Sequence, residues 1–222
     1  MKSRTAVRQE INALLEQGDF SALVTLAGRE SHTAGILMQY LYDPHDPLHW
    51  RALEGLGHVA HGHPRQVQKI ITRLLWLLNE DSGSFGWGAA AALGEIGRHE
   101  LSVVADIIPM FCGFIEEPFS RGPMLWGIGR LAEVHPEELE EVRPFMLPCL
   151  QDDDPQVRAL AAWALGKLRE PRAREGLEKL LEDDSPVTLY DAGKMRRTTV
   201  AGLAREALAA LDQAERLPSR QV

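Results

Sequence analysis

The segment DDDPQVRALAAWALGKL, residues 152–168, places Val157, Leu160, Ala161, Ala164, Leu165 and Leu168 at helical spacing. They form one apolar stripe, in which the alanines let a neighbouring helix come close. The stripe recurs. With Gly166 as anchor, AAWALG is preceded by LWGIG ending at Gly129, AAALG ending at Gly94 and LEGLG ending at Gly57, at intervals of 37, 35 and 37 residues. Downstream, residues 199–211 superimpose on 156–168 with six coincident apolar positions. A repeat at this period predicts an α-solenoid, in which no helix pair can bury its apolar face without its neighbours.

Each unit reads as a first helix, the anchor glycine, a short polar turn and a second helix. The second helices are expected at about 65–78, 100–116, 137–151 and 172–182, with acidic exits EDSGS, EEPFS, DDDP and EDDSP. Pro109, Pro144 and Pro148 fall inside them and are expected to bend or break them. No segment alternates convincingly enough to predict a strand. The chain therefore reads as all-α: stacked antiparallel helix hairpins in a right-handed curved array. Residues 1–45 match the repeat poorly and read as an N-terminal helical cap. The units are placed at 46–82, 83–118, 119–153 and 154–184, with a closing helix at 196–211 and a tail at 212–222.

The residues Asp154, Pro155, Val157, Arg158, Ala161, Ala164, Leu165 and Gly166 resemble the pattern of HEAT repeats. More narrowly, they are similar to the short bacterial form called phycobilisome-lyase-like. The resemblance covers about 46–211 and implies a scaffold fold rather than an activity. It also implies that Arg158 pairs with an acidic group in a neighbouring unit. Most proteins with such repeats bind other proteins, and a minority handle bilins.

A net charge of −8 disfavours a nucleic-acid partner, which needs a concentrated basic surface. It likewise counts against the DNA-binding branch of HEAT-like repair proteins. The two cysteines, Cys112 and Cys149, lie in apolar segments, as reduced buried thiols would. No stretch is long enough to span a bilayer and no signal peptide is evident. The chain is expected to be cytoplasmic.

Departures from generic repeat filling mark the candidate binding positions. Trp50 and Trp87 sit seven residues before their anchors, and Trp126 and Trp163 three before theirs. The two positions share a helix face, so the four form a row that either packs between units or anchors a partner. The insertion SPVTLYDAGKMRRTT contributes Tyr190, Arg196 and Arg197 as a lid, a partner contact or a plain surface loop, with 195–197 as an alternative start of the last helix. His61, His63, His99 and His135 recur after successive anchors, where they are expected to end turns; no ligand set accompanies them. There is no phosphate-binding glycine loop and no nucleophile–base pair. No cofactor is expected. The sequence thus points to a non-catalytic scaffold holding another protein against its second helices. The alternatives are a bilin-lyase-like factor for a tetrapyrrole-type group and, less favoured, a DNA-binding protein.

Overall fold

The computed structural model describes residues 3–43, 45–79 and 88–216. Trp87 and the exit EDSGS lie outside them.

The N-terminal region holds α1 (Arg4–Gln17), α2 (Phe20–Arg29) and α3 (Thr33–Leu37), followed by a 3-10 turn, Met38–Tyr42. Its helix ends follow from local chemistry. Ser3 accepts from Ala6 N–H and Asp19 from Ala22 N–H, while Gly18, at φ 67°, closes α1 in the left-handed conformation that glycine adopts without strain. Val7, Ile11 and Leu15 bury one face of α1, and the Tyr40 hydroxyl bonds the Asn12 side chain.

Five first helices follow: α4 (His49–Gly62), α6 (Ala89–His99), α8 (Pro118–Ala132), α10 (Pro155–Lys167) and α12 (Val200–Arg216). Each packs against the next, making a continuous row. The second layer begins with a regular α5 (Pro64–Asn79). Thereafter it is broken. Residues 101–116 form two 3-10 turns and α7 (Phe111–Glu116), and Pro109 lies in the second turn. Residues 136–151 form two 3-10 turns around α9 (Arg143–Met146), with Pro144 at the start of α9 and Pro148 at the start of the second turn. A proline inside a helix lacks the N–H its turn requires, so the irregularity recurs with the prolines. Pro171–Ala173 and α11 (Arg174–Lys179) complete the layer.

The anchor glycines are not hinge corners. All four lie within first helices rather than directly before a turn. A side chain at Gly94 would put its Cβ 2.2 Å from the Gly127 backbone on α8. One at Gly129 would meet the Trp163 ring at 2.1 Å, one at Gly166 would meet Ala207 at 2.8 Å, and one at Gly57 would meet the Glu95 carbonyl oxygen at 2.9 Å. The glycine repeats because neighbouring first helices touch backbone to backbone or backbone to ring.

Charged groups join the same helices just beyond the anchors. Glu95, fully buried, accepts from Arg130 Nε at 2.7 Å and Nη2 at 3.2 Å. Burial raises its carboxyl pKa, but hydrogen bonds from His99 and Arg130 outweigh that and hold it below the ordinary value. Glu133 receives Arg98 at 3.0 Å and Lys167 at 2.8 Å, tying α6, α8 and α10 together. Arg121 and Arg158 occupy equivalent places at the starts of α8 and α10. Arg158 donates to the Asp152 and Asp153 carbonyls of the preceding exit and to Asp183 at 2.7 Å. Its acidic partner is therefore at the exit of its own unit rather than in a neighbour. Arg121 does the same with Ile115, Glu116 and Asp152.

One expectation fails outright. The insertion is a β-hairpin, with β1 (Pro186–Asp191) antiparallel to β2 (Lys194–Thr199). Asp191 pairs with Lys194 around Ala192 and Gly193, whose φ values are 48° and 76°. That is the two-residue turn whose twist matches paired strands. Arg196 and Arg197 belong to β2, so α12 starts only at Val200 and continues to Arg216, through part of the expected tail. Only one residue in two of β1 is apolar before Tyr190, so the alternation is too short to stand out in sequence.

Replacing Gly94 with alanine should cost about 1–3 kcal/mol through overpacking, read as a clear drop in melting temperature. Gly113→Ala, where the added Cβ meets nothing within 4 Å, should leave melting unchanged or raise it. Equal effects at the two sites would refute the backbone-contact role.

Candidate functional site

α6 runs AAAALGEIGRH, and its alanines determine what lies above it. With no large side chain between them, Trp50 from α4 and Trp126 from α8 meet across α6, ring centroids 5.0 Å apart and edge to face. The hairpin reaches the same place from the far end of the chain. Tyr190 stacks on Trp50 at 5.1 Å with the rings 13° from parallel, and its hydroxyl donates to Glu54 Oε2 at 2.8 Å. Burial and the adjacent Glu54 carboxylate push the Tyr190 phenol well above its usual pKa, so it remains a donor.

The β1 backbone is pinned as firmly as its ring. In a hairpin closed at Asp191–Lys194, Thr188 and Tyr190 direct their backbone groups away from β2. The Trp126 indole N–H donates to the Tyr190 carbonyl at 2.8 Å. The Gln156 side chain both donates to the Thr188 carbonyl at 2.7 Å and accepts from its N–H at 3.1 Å. A side-chain amide thus takes the place of a neighbouring strand.

Between these parts lies a groove of about 460 Å³. Trp50 and His49 line one wall, and Pro118, Phe119, Gly122, Pro123 and Trp126 another. Ala91 is at the floor, the start of α10 contributes Asp154, Gln156, Val157 and Leu160, and Thr188 and Tyr190 form the roof. His45 completes the rim. The walls are chiefly aromatic rings, prolines and aliphatic carbons. The polar groups are mostly engaged: His49 Nδ1 is 3.2 Å from the Tyr40 carbonyl and Asp154 caps α10 through Gln156 N–H. Burial lowers the His49 pKa, which keeps the ring neutral. Such a lining can hold an apolar segment or ring.

The expected tryptophan row is divided by the structure. Trp126 is buried at 1 % exposure and Trp163 at 5 %, Trp163 filling the space over Gly129 with Lys167 above its ring at 5.5 Å. These two are packing residues, although one face of Trp126 also lines the groove. Trp50 is half-buried and Tyr190 buried at its roof. Arg196 is occupied by Glu206 at 2.5 and 2.9 Å, while Arg197 is exposed. Sequence reasoning passed over Glu54, Gln156 and Ala91. The run of four alanines was the visible signal for Ala91; nothing local marks the other two.

His63, His99 and His135 each have a different partner. His63 bonds the Val24 carbonyl at 2.9 Å, and His99 contacts Glu95 at 3.2 Å. His135 sits 3.7 Å from Glu137. Among the described residues, no group of three His, Cys, Asp or Glu side chains is placed to hold a metal ion.

Comparison with known proteins agrees with this architecture. Residues 121–195 match the family described as HEAT repeats. The chain carries a HEAT-like repeat segment. An uncharacterized protein of Archaeoglobus fulgidus is 27 % identical over 172 residues, spanning 75 % of this chain and 91 % of the relative. Two engineered proteins of known crystal structure share the fold. One aligns at TM-score 0.55 and 16 % identity, covering 93 % of this chain and 90 % of its own. The other aligns at 0.53 and 16 %, covering 96 % of this chain and 56 % of its own. The likeness to these proteins is distant throughout, and the phycobilisome-lyase type is not singled out. No helix among the described residues is long and apolar enough to cross a membrane.

Two predictions follow, one from the packing around the groove and one from a buried histidine outside it. Tyr190→Phe leaves Glu54 without its buried donor and should destabilise by about 1–3 kcal/mol, with a smaller loss in the Glu54→Gln background; additive losses would mean the bond contributes nothing. The second concerns His58, stacked on Phe20 at 4.6 Å and beside His99 at 4.4 Å. Burial, reinforced by His99, lowers its pKa to about 4. Between the ordinary value near 6.5 and that figure, the unfolded chain binds a proton the folded one refuses. Stability should therefore fall as pH drops through this window. His58→Gln should flatten the decline there, and an unchanged slope in chemical denaturation would exclude the histidine as its source.

Proposed function

We propose that this protein is a non-catalytic scaffold that holds a partner protein, with an apolar segment of the partner seated in the Trp50–Trp126–Tyr190 groove. The observation that carries the proposal is the preformed aromatic lining, held by long-range bonds from Tyr190 and Gln156. A rigid surface lowers the ordering cost of association, and clustered aromatic residues are the usual anchors of protein interfaces. The proposed site is on the first-helix row rather than on the second helices, which are broken into short turns after α5. The array is taken to curve in the right-handed sense usual for such repeats, and the partner to be encountered in the cytoplasm.

A second reading has one observation in its favour. His45, His49 and Asp154 border the groove that contains Trp50 and Trp126, an arrangement suited to a flat tetrapyrrole-type group. Asp154 and His49 are already bonded within the chain, which favours the protein partner.

The test uses the full chain purified from its native cell. A protein present in stoichiometric amount with the wild type, and lost from Phe119→Asp while melting is preserved, is the expected result. Retention of that protein by Phe119→Asp, or absence of any stoichiometric protein, would refute the proposal. Co-purification of a visible-absorbing chromophore would favour the tetrapyrrole instead.

A further inference from the structure

The hairpin has two edges, and only one of them is used by the described residues. Along β1 the outward backbone groups of Thr188 and Tyr190 are taken by Gln156 and Trp126. Across the hairpin, Tyr190 faces Met195 and Thr188 faces Arg197. The same alternation that turns Thr188 and Tyr190 away from β2 turns Met195 and Arg197 away from β1. Their N–H and C=O groups meet no partner among the described residues. β2 is therefore an open strand edge on a sheet already fixed from behind.

The side chains along that edge have a definite chemistry. Met195 is 49 % exposed, a large apolar group standing clear of the core. Lys194 and Arg197 are exposed and have no carboxylate partner among the described residues, whereas Arg196 between them in the strand is neutralised by Glu206. Most other arginines of the repeat units are held in ion pairs or by backbone carbonyls.

We propose that β2 is a docking edge for an extended acidic segment of a partner protein, which adds as a third strand. Backbone bonds to Met195 and Arg197 would supply register, and side chains would supply selection. In an antiparallel arrangement, partner residues opposite 197, 196, 195 and 194 follow one another in chain order. A carboxylate opposite Arg197, an apolar residue opposite Met195 and a carboxylate opposite Lys194 give the pattern Glu-x-Val-Glu. The site is separate from the aromatic groove and holds whatever occupies that groove. The competing role for edge cations is to repel other strands and prevent aggregation, and it predicts no such selectivity.

The experiment titrates the full-length, isotope-labelled protein with the capped peptide Thr-Glu-Thr-Val-Glu-Thr, following amide shifts and hydrogen exchange. A control peptide carries lysine in place of both glutamates. The acidic peptide should shift and protect the Met195 and Arg197 amides, with the lysine peptide silent. Met195→Pro removes an outward donor and no hairpin bond, so it should weaken binding about tenfold while the β1–β2 cross-strand signals persist. Lys194→Thr with Arg197→Thr should abolish the preference between peptides. Absence of protection at millimolar peptide would overturn the proposal, as would equal binding of the lysine peptide. Protection confined to the aromatic groove would also overturn it, while leaving the groove as a binding site.

Discussion

The distance between neighbouring first helices governs this molecule. At the α6–α8 contact, a side chain at Gly94 would run into the Gly127 backbone, and one at Gly127 would press on the backbone of Ala90 and Ala91. Helices with ordinary side chains at their contact lie about 8–10 Å apart, and glycine faces permit closer approach. Because α6 is thin as well as close, its neighbours α4 and α8 can touch over the top of it. The Trp50–Trp126 contact, the bed for Tyr190 and the floor of the groove all depend on that thinness. Larger residues at Ala91 or Gly94 would fill or separate the parts that make the site.

The close row also explains where charge is placed. Glu95 and Arg130 are buried next to the glycine contacts, and their pairing spans α6 and α8. A buried ion pair is weak evidence for net stability, since desolvation opposes attraction. Its effect here is directional: removing one partner leaves an uncompensated charge in the interior, so sliding one helix past another is penalised. The glycines set spacing and the charges set register. By contrast, the second layer tolerates prolines and 3-10 turns because its members do not have to touch along their length.

The hairpin turns a repetitive stack into a particular molecule. It leaves the array after the fourth unit and returns across α10 and α8 to bond Glu54 on α4, 136 residues away in sequence. That closure gives the first-helix row an aromatic groove beneath the hairpin. It also presents an unused strand edge beyond it. A plain stack of helix pairs would have neither feature.

The sequence alone determined the repeat, its period, the first helices and the places where prolines interrupt the second layer, because these follow from local spacing and backbone chemistry. It marked the recurrent glycines but assigned them to corners, since a glycine that frees the backbone and a glycine that admits a neighbour look the same in one dimension. The strands at 186–199 escaped notice because a strand is stabilised by its partners. Along its outer edge, β1 is partnered by the side chains of Trp126 and Gln156, remote in the chain. The division of the tryptophans was equally beyond reach: Trp50 and Trp126 occupy different positions relative to their anchors, and only the alanine face of the helix between them lets them meet. Local periodicity encodes which face of a helix is apolar, whereas the tertiary structure decides what that face encounters.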